Sequence, residues 1–355
     1  MRPAVRGRTA GATGRRSADA AQGVQVRRYF TRKVLTYALA FFVGVTIDWA
    51  IPHMMPGDPV QLYLSNFNLK PAGYAALYKT MSQAFGTNLP LWEQYLHYWK
   101  GLLTGNWGIS FWAFPAPVST LIWQALPYTL ALLLPAIVLS YIVGNRLGAA
   151  AARRRVLDNT VLPAGYVFQA IPYPWLALAL PFLLGVVWHV FPIAGGYDRG
   201  LIPAFSLTFI WSLLYHWFLP FLTLFLVGLG GWAIGMRNLV IYELENDSSR
   251  YLRALGARER VVRRYAYRSA SLPQLSGLAL ALGVIVGGSI VTEYAFSYPG
   301  IGRLMFQAIS NQDYFLLQGI FIFIIIGVLV ANFVIDIVYV VVDPRTRLSM
   351  QGGSA

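Results

Sequence analysis

The chain has 355 residues, of which 57% are apolar and only 12% charged, with a formal net charge of +14 and no cysteine. The charged fraction is about half the ~25% of a soluble domain, and the long uncharged runs exclude a soluble fold in favour of a protein that crosses a membrane several times. The lack of cysteine excludes disulfides, thiol nucleophiles and thiolate metal sites.

Residues Met1 to Val26 carry Gly, Ala, Ser, Thr and Arg with few large apolar residues, which predicts a disordered basic arm. Arg15-Arg16 is not followed closely by an apolar segment, so it does not read as a twin-arginine signal. Arg27, Arg28, Arg32 and Lys33 precede a first span over about Val34–Met54, read as an uncleaved signal-anchor. Met55-Pro56-Gly57-Asp58-Pro59 then stops the helix and opens an external stretch reaching Gln124. Within it Leu91, Trp92, Tyr95, Leu96, Trp99 and Leu103 recur at helical spacing, as in a helix lying at the membrane interface. Leu77, Met81 and Phe85 suggest a second such piece; sugar stacking is the alternative use of these aromatics.

Further spans are predicted over Ala125–Leu147, Val161–Phe191, Trp217–Ile241, Leu275–Phe296 and Tyr314–Val342. The third is interrupted by Pro172, Pro174 and Pro181, and Gly195–Tyr215 reads as an external loop with room for a re-entrant piece. Between the fourth and fifth spans lies the arginine-rich stretch Ser248–Pro273. Val261, Val262, Tyr265 and Ser269 share one helical face there, Gly256 marks a turn between two short helices, and Ser271 and Pro273 read as the start of the next helix. The chain thus divides into an arm (1–26), a first span with its external loop (27–124), a five-helix core (125–347) carrying the central loop 248–273, and a flexible tail (348–355).

Charge sets the orientation. Lys70, Lys79, Lys100, Arg199 and Arg303 fall on one side, and the other 23 of the 28 Lys and Arg lie in or beside the arm, the loop at Arg153-Arg154-Arg155, the central loop and the tail. The positive-inside rule puts both termini in the cytoplasm and accounts for the net charge without nucleic acid.

Little in the chain suggests catalysis. His53, His97, His189 and His216 are scattered without metal-ligand spacing, no serine sits in a nucleophile elbow, and no lysine sits in a phosphate-cradling G-x-x-x-x-G-K pattern. Asp48, Glu293 and Asp336 lie in or near apolar spans, where a carboxylate marks either a pathway or a buried hydrogen bond to a neighbouring helix. Gly231 with Gly235, and Gly283 with Gly287 and Gly288, form small-residue pairs suited to close helix approach, within one subunit or between two. Gly287, Gly288, Thr292 and Glu293 are therefore the candidate pathway or gate residues.

The central loop resembles the EAA loop by which ABC importer permeases dock into their ATPase subunits. Arg253-Ala254-Leu255-Gly256-Ala257, with Leu272-Pro273, carries the likeness, although Arg250, Tyr251 and Leu252 stand where Glu-Ala-Ala would be. Other motifs are similar to the oligopeptide/dipeptide permease family: Met55-Pro56-Gly57-Asp58-Pro59, Pro90-Leu91-Trp92-Glu93-Gln94-Tyr95, Gly105-Asn106-Trp107-Gly108-Ile109-Ser110, Thr292-Glu293, Phe296 to Gly302, Asp313-Tyr314 and Asp343-Pro344-Arg345.

The resemblance implies an all-α membrane protein of six transmembrane helices with the type I ABC importer permease fold and both termini cytoplasmic, in the inner membrane of a bacterium. It implies a second homologous permease subunit, two ABC ATPase subunits and an extracytoplasmic solute-binding protein as partners, in contact with membrane lipid and not with nucleic acid. No cofactor is implied in this chain, with ATP and Mg held by the ATPases. Arg253, Ala254, Leu255, Gly256, Ala257, Arg258 and Arg260 would form the coupling loop, and transport would proceed by alternating access. The substrate would be an oligopeptide or a small oligosaccharide; some relatives carry nickel. The competing readings are a membrane-embedded enzyme, which needs convergent polar groups, and a secondary transporter, which needs an internal inverted repeat.

Overall fold

The computed structural model of the chain describes residues 10–54, 58–65, 70–284 and 290–342. Thirteen α-helices and one π-helical segment are found among the described residues, and no strand. Helix α1 runs Ala10–Met54, α2 Pro59–Ser65, α3 Pro71–Phe85 and α4 Leu91–Thr104. The core follows as α5 (Val118–Ala151), α6 (Arg155–Ala170), α7 (Tyr173–Leu180) continued by π-helical Pro181–Val187, and α8 (Leu207–Glu245). The remainder is α9 (Asp247–Ala254), α10 (Glu259–Val284), α11 (Ile290–Ala295), α12 (Ile301–Ser310) and α13 (Tyr314–Val342).

Among the described residues, four helical stretches are long and apolar enough to cross a membrane: Thr31–Met54 in α1, α5, α8, and Tyr314–Phe333 in α13. A fifth is made if α6 and α7 with its π extension count as one broken span; they meet at 95°. The break falls at Ile171-Pro172, as the prolines predict, because the residue before a proline is pushed out of the helical region.

The structure departs from the sequence reading in four places. The backbone is helical from Ala10, where the sequence predicts disorder to Val26; alanines at 10, 12, 18, 20 and 21 favour a helix running into the first span. Helix α5 begins at Val118, seven residues before the predicted span, because Val118 and Ile122 are buried against Ile301, Leu316 and Ile320. Helix α8 begins at Leu207, inside the predicted external loop, where the Ser206 hydroxyl accepts the Phe209 N–H as an N-cap. Helix α10 passes through Ser271 and Pro273 without a break, so no new helix starts there. The predicted fifth span is thereby shared between the end of α10 and α11.

The core is built on α5 packed along α8. Gly144 and Gly148 on α5 allow this: a Cβ at Gly144 would sit 3.0 Å from the Leu229 carbonyl oxygen, and one at Gly148 would sit 3.0 Å from the Arg237 nitrogen. Leu132, Ala136, Ala177, Leu219, Phe296 and Tyr298 form a second buried cluster that ties α7 and the segment after α11 to this pair. The predicted small-residue pairs are only partly used. Gly230, not Gly231, meets α6, its Cβ position lying 2.6 Å from the Gly165 carbonyl oxygen. A Cβ at Gly231 would meet nothing within 4 Å.

Candidate functional site

The arginine-rich segment is a helical corner. Helix α8 ends at Glu245, and Asn246 caps α9 by accepting the Asp247 N–H on its side chain (2.7 Å). Buried Ser249 donates its hydroxyl to the Glu243 carbonyl (2.6 Å), folding α9 back against the end of α8. Helix α9 then closes with a Schellman turn. The Gly256 N–H reaches the Arg253 carbonyl (2.9 Å) and the Ala257 N–H reaches the Leu252 carbonyl (3.0 Å). Gly256 has φ +75°, the left-handed conformation for which glycine carries no Cβ penalty, so the predicted turn is there for the predicted reason. The Arg258 carbonyl then accepts the Val261 N–H (2.8 Å) at the start of α10.

The arginines of the corner divide in two. Arg253 is internal bracing: Nε donates to Glu259 (2.8 Å) and Nη1 to the Leu244 carbonyl (3.0 Å), joining α8, α9 and α10. Arg258 and Arg260 are exposed, as are Ala254, Leu255 and Gly256, while Ala257 is half-buried. The inward face of α10 is Val262, Ala266 and Ala270, each at most 1% exposed, at i, i+4 and i+8. That corrects the predicted face: Val261 and Tyr265 point outward, because the close approach of α10 to the ends of α5 and α8 admits alanine where the larger side chains would not fit. Tyr251, Leu255, Val261 and Tyr265 are thus large side chains left exposed on a braced corner.

Of the candidate pathway residues, Gly287 and Gly288 lie outside the described residues. Thr292 and Glu293 are both fully buried, at 0% exposure. Glu293 caps the N-terminus of α12 from α11. Its Oε1 accepts the Thr129 hydroxyl (2.9 Å), its Oε2 accepts the Gly302 N–H (2.6 Å), and the Thr129 oxygen accepts the Ile301 N–H (2.8 Å). Two of the four orphan donors of α12 are met this way, and a carboxylate sits at the positive end of the helix. The glycines of Tyr298-Pro299-Gly300-Ile301-Gly302 follow from this clamp. A Cβ at Gly300 would lie 2.6 Å from the Thr129 oxygen, and one at Gly302 would lie 2.5 Å from the Ile290 Cα.

The other two intramembrane carboxylates are paired as well. Asp48 accepts the Tyr98 hydroxyl of α4 (2.6 Å), and Asp336 pairs with Lys33 (2.8 Å) and accepts the Tyr37 hydroxyl, fastening α13 to α1. Burial, then the neighbouring Asp48 carboxylate, pushes the Tyr98 phenol well above its ordinary value and keeps it a donor.

Several working residues escape the sequence reading. Asp58 accepts the Val60 N–H (2.8 Å) to cap α2 and the Tyr78 hydroxyl of α3 (2.5 Å). Its signal is an Asp followed by a proline at the first helical position, read above only as a stop. Asp313, fully buried, caps α13 through the Leu316 N–H (3.0 Å) and holds Ser110 (2.5 Å) and the Trp112 N–H (2.9 Å). An aspartate directly before a long apolar run is the local sign of such a cap.

A family model described as the binding-protein-dependent transport system inner membrane component matches residues 144–348. The chain is 30% identical over 338 residues to the dipeptide transport system permease protein DppB of Escherichia coli K12, covering 90% of this chain and 98% of that protein. It is 30% identical over 321 residues to the oligopeptide transport system permease protein AppB of Bacillus subtilis 168, covering 89% and 98%. The di/tripeptide transport system permease protein DppB of Pseudomonas aeruginosa UCBPP-PA14 is 30% identical over 340 residues, covering 90% and 98%.

Proposed function

The chain belongs to the family of binding-protein-dependent transport system inner membrane components, and from that premise we propose that it is one permease subunit of an ATP-driven importer of peptides. The importer pairs this chain with a second homologous permease, two ABC ATPase subunits and an extracytoplasmic solute-binding protein. ATP and Mg are held by the ATPases and hydrolysis occurs there. Six spans with both termini in the cytoplasm are part of this reading, supported by the distribution of Lys and Arg. The fifth span is then the end of α10 with α11.

The observation that carries the proposal is the α9–α10 corner. It is a rigid helical turn, set by a left-handed glycine and braced by Arg253, that presents exposed apolar and cationic side chains on the basic side of the protein. Arg253, Ala254, Leu255, Gly256, Ala257, Arg258 and Arg260 act as the coupling element. Leu255 and Tyr251 supply apolar anchors, and Arg258 and Arg260 face ATPase carboxylates. Because α10 continues through Pro273 toward the fifth span, a displacement of the corner is carried into the membrane by one helix. Closure of the ATPases thereby drives alternating access.

Glu293 acts in this scheme by holding α11 to α12, and Thr292 is buried next to it in the chain. Gly287 and Gly288, between α10 and α11, remain the proposed gate. Peptides are the proposed cargo because the relatives matched over about nine-tenths of the chain are named as peptide permeases.

The test is ATPase activity of the full assembly in nanodiscs, titrated with the binding protein loaded with peptides of two to six residues. Stimulation by a peptide-loaded form supports the importer. A chain that assembles with no ATPase under conditions where the second permease does so would overturn it.

A further inference from the structure

Residues 195–198 form a short strap between the first turns of α8 and the elbow that joins α11 to α12. One end is fixed to the elbow. The Gly195 N–H donates to the Phe296 carbonyl (2.8 Å), with Gly195 at φ +106°, and a Cβ at Gly196 would lie 2.7 Å from the Pro299 ring. The other end is fixed to α8. The Asp198 N–H donates to the Ser212 hydroxyl (2.9 Å), which itself donates to Asp198 Oδ2 (2.8 Å). The strap thus ties the longest core helix to the segment that follows α11.

His216 stands under this strap, one turn after Ser212 and one residue before the predicted span Trp217–Ile241. It is 7% exposed, and a Cβ at Gly195 would touch its Cδ2 at 3.6 Å. Its Nδ1 lies 2.8 Å from the Ser212 carbonyl. A carbonyl only accepts, so Nδ1 carries the proton of the neutral ring and Nε2 is left with its lone pair. That nitrogen lies 3.7 Å from Asp198 Oδ1. In the neutral state two acceptors therefore face each other. Protonation turns Nε2 into a charged donor aimed at a carboxylate, and a closure of ~1 Å brings the pair to the length of a charge-assisted hydrogen bond. The other titratable groups around the strap are engaged elsewhere or exposed. Tyr215 meets the ring edge-on and donates its hydroxyl to the Val190 carbonyl, and Tyr197 packs on Phe209. Tyr128 and Tyr298 pack on each other, Glu293 is held by Thr129 and Gly302, and Arg199 is exposed. Among the described residues, Asp198 is the one carboxylate within 4 Å of the imidazole.

We propose that residues 195–198 are a pH-dependent latch, which holds the α11–α12 elbow to α8 more firmly when His216 is protonated. Histidine changes charge between about pH 5 and 8, a range in which aspartate stays ionised. The added hold is therefore present at the acid end of that range and lost as pH rises through it. Its consequence for transport rests on the importer reading given above. There the elbow follows the segment that carries Gly287 and Gly288, so a firmer latch opposes its movement and acid slows the cycle.

The test is a spin label on the strap. The chain has no cysteine, so Ile202→Cys, at a position 84% exposed just after the strap, gives one labelling site on this chain. The full assembly, its partner subunits made cysteine-free, is placed in nanodiscs and its electron paramagnetic resonance spectrum followed from pH 8 to pH 5.5. The mobile fraction of the label should fall about two- to fivefold on acidification, the size of effect expected of a partly exposed ion pair. His216→Gln should remove that response. So should Asp198→Asn, which keeps an acceptor for the Ser212 hydroxyl and changes a side chain that is 66% exposed. If His216→Gln loosens the label at every pH, the core has been disturbed and Asp198→Asn decides. A wild-type spectrum independent of pH, or a full response kept by Asp198→Asn, would overturn the proposal. The measurement uses no ATP and no binding protein, so its failure is separable from failure of the importer reading.

Discussion

Arg237 on α8 grips Asp158 on α6 in a two-pronged ion pair, Nε to Oδ1 and Nη2 to Oδ2, both at 2.8 Å. The fork fixes the first arm of the bent α6–α7 pair against the longest core helix. Lysine cannot reproduce two parallel bonds. Arg237→Lys is expected to lower the thermal midpoint of the detergent-solubilised assembly, by the ~1 kcal/mol typical of a partly exposed pair. The exchanged pair Arg237→Asp with Asp158→Arg should recover part of the loss. Equal midpoints for wild type and Arg237→Lys would show that the fork does not hold α6.

The Schellman turn makes a sharper prediction. Gly256→Val puts a β-branched residue at φ +75°, where left-handed backbone costs roughly 1–2 kcal/mol or more. A Cβ there meets nothing within 4 Å, so the penalty is conformational and local. Transport and binding-protein-stimulated ATPase activity should collapse while insertion and permease pairing persist. Gly256→Asn, which tolerates that backbone, should retain much of the activity. Equal activity of the valine and asparagine variants would remove the turn from coupling.

The divided roles of the corner arginines are separable by salt. Arg258→Ala with Arg260→Ala should weaken ATPase assembly most at low ionic strength, since exposed charges are screened within about 10 Å at 0.1 M. Arg253→Ala should instead increase amide exchange around Leu244 and Glu259, whose contacts it loses. Hydrogen exchange on both variants, read beside ATPase pull-down at two salt concentrations, distinguishes them. An unchanged pull-down for the double variant at low salt would exclude the proposed charge contact.

The clamp at Glu293 should be a folding determinant. Glu293→Ala leaves two buried donors unmet, the Gly302 N–H at the start of α12 and the Thr129 hydroxyl on α5, each costing about 1–3 kcal/mol. Expected results are low yield of monodisperse protein and a lowered thermal midpoint, with Glu293→Gln intermediate. A Glu293→Ala variant that folds normally yet fails in transport would restore a pathway role for this carboxylate.

Between α2 and α3, the Tyr78 hydroxyl donates to Asp58, and that bond, together with the negative charge, raises the phenol above its ordinary value near 10. With the folded value raised, the link stabilises α2 on α3 fully below pH 10 and is lost as pH climbs through the raised value. In alkaline titration at 295 nm, subtracting Tyr78→Phe should reveal a tyrosine that ionises late, and Asp58→Asn should bring it earlier. A Tyr78 that ionises at the same pH in wild type and Asp58→Asn would exclude the link.

Much of this architecture is legible because the signals are local. Apolar runs mark α5, α8 and α13, prolines mark the α6–α7 break, and one glycine marks the corner. What escapes depends on partners far along the chain. Glu293 is left open between a pathway role and a buried hydrogen bond, because its partner Thr129 lies 164 positions earlier. Asp336 likewise finds Lys33 303 positions away. The inward face of α10 is missed for another reason. Hydrophobicity ranks Val261 and Tyr265 above Ala266 and Ala270, but the small residues are the ones that let helices touch. Proline is an unreliable stop in this setting, since helices in membranes carry it when neighbours meet the freed carbonyl.

Helix α8 has 39 residues and, at 1.5 Å per residue, is about 58 Å long, roughly twice the ~30 Å of hydrocarbon it crosses. Its N-terminal end holds the segment before it, where Ser212 bonds Asp198 (2.8 Å) and the Nε2 of His216 lies 3.7 Å from the same carboxylate. Its C-terminal end is the abutment on which Ser249 and Arg253 brace the corner. In the proposed assembly, a single continuous helix therefore joins the side that would meet arriving solute to the side that would meet the ATPases.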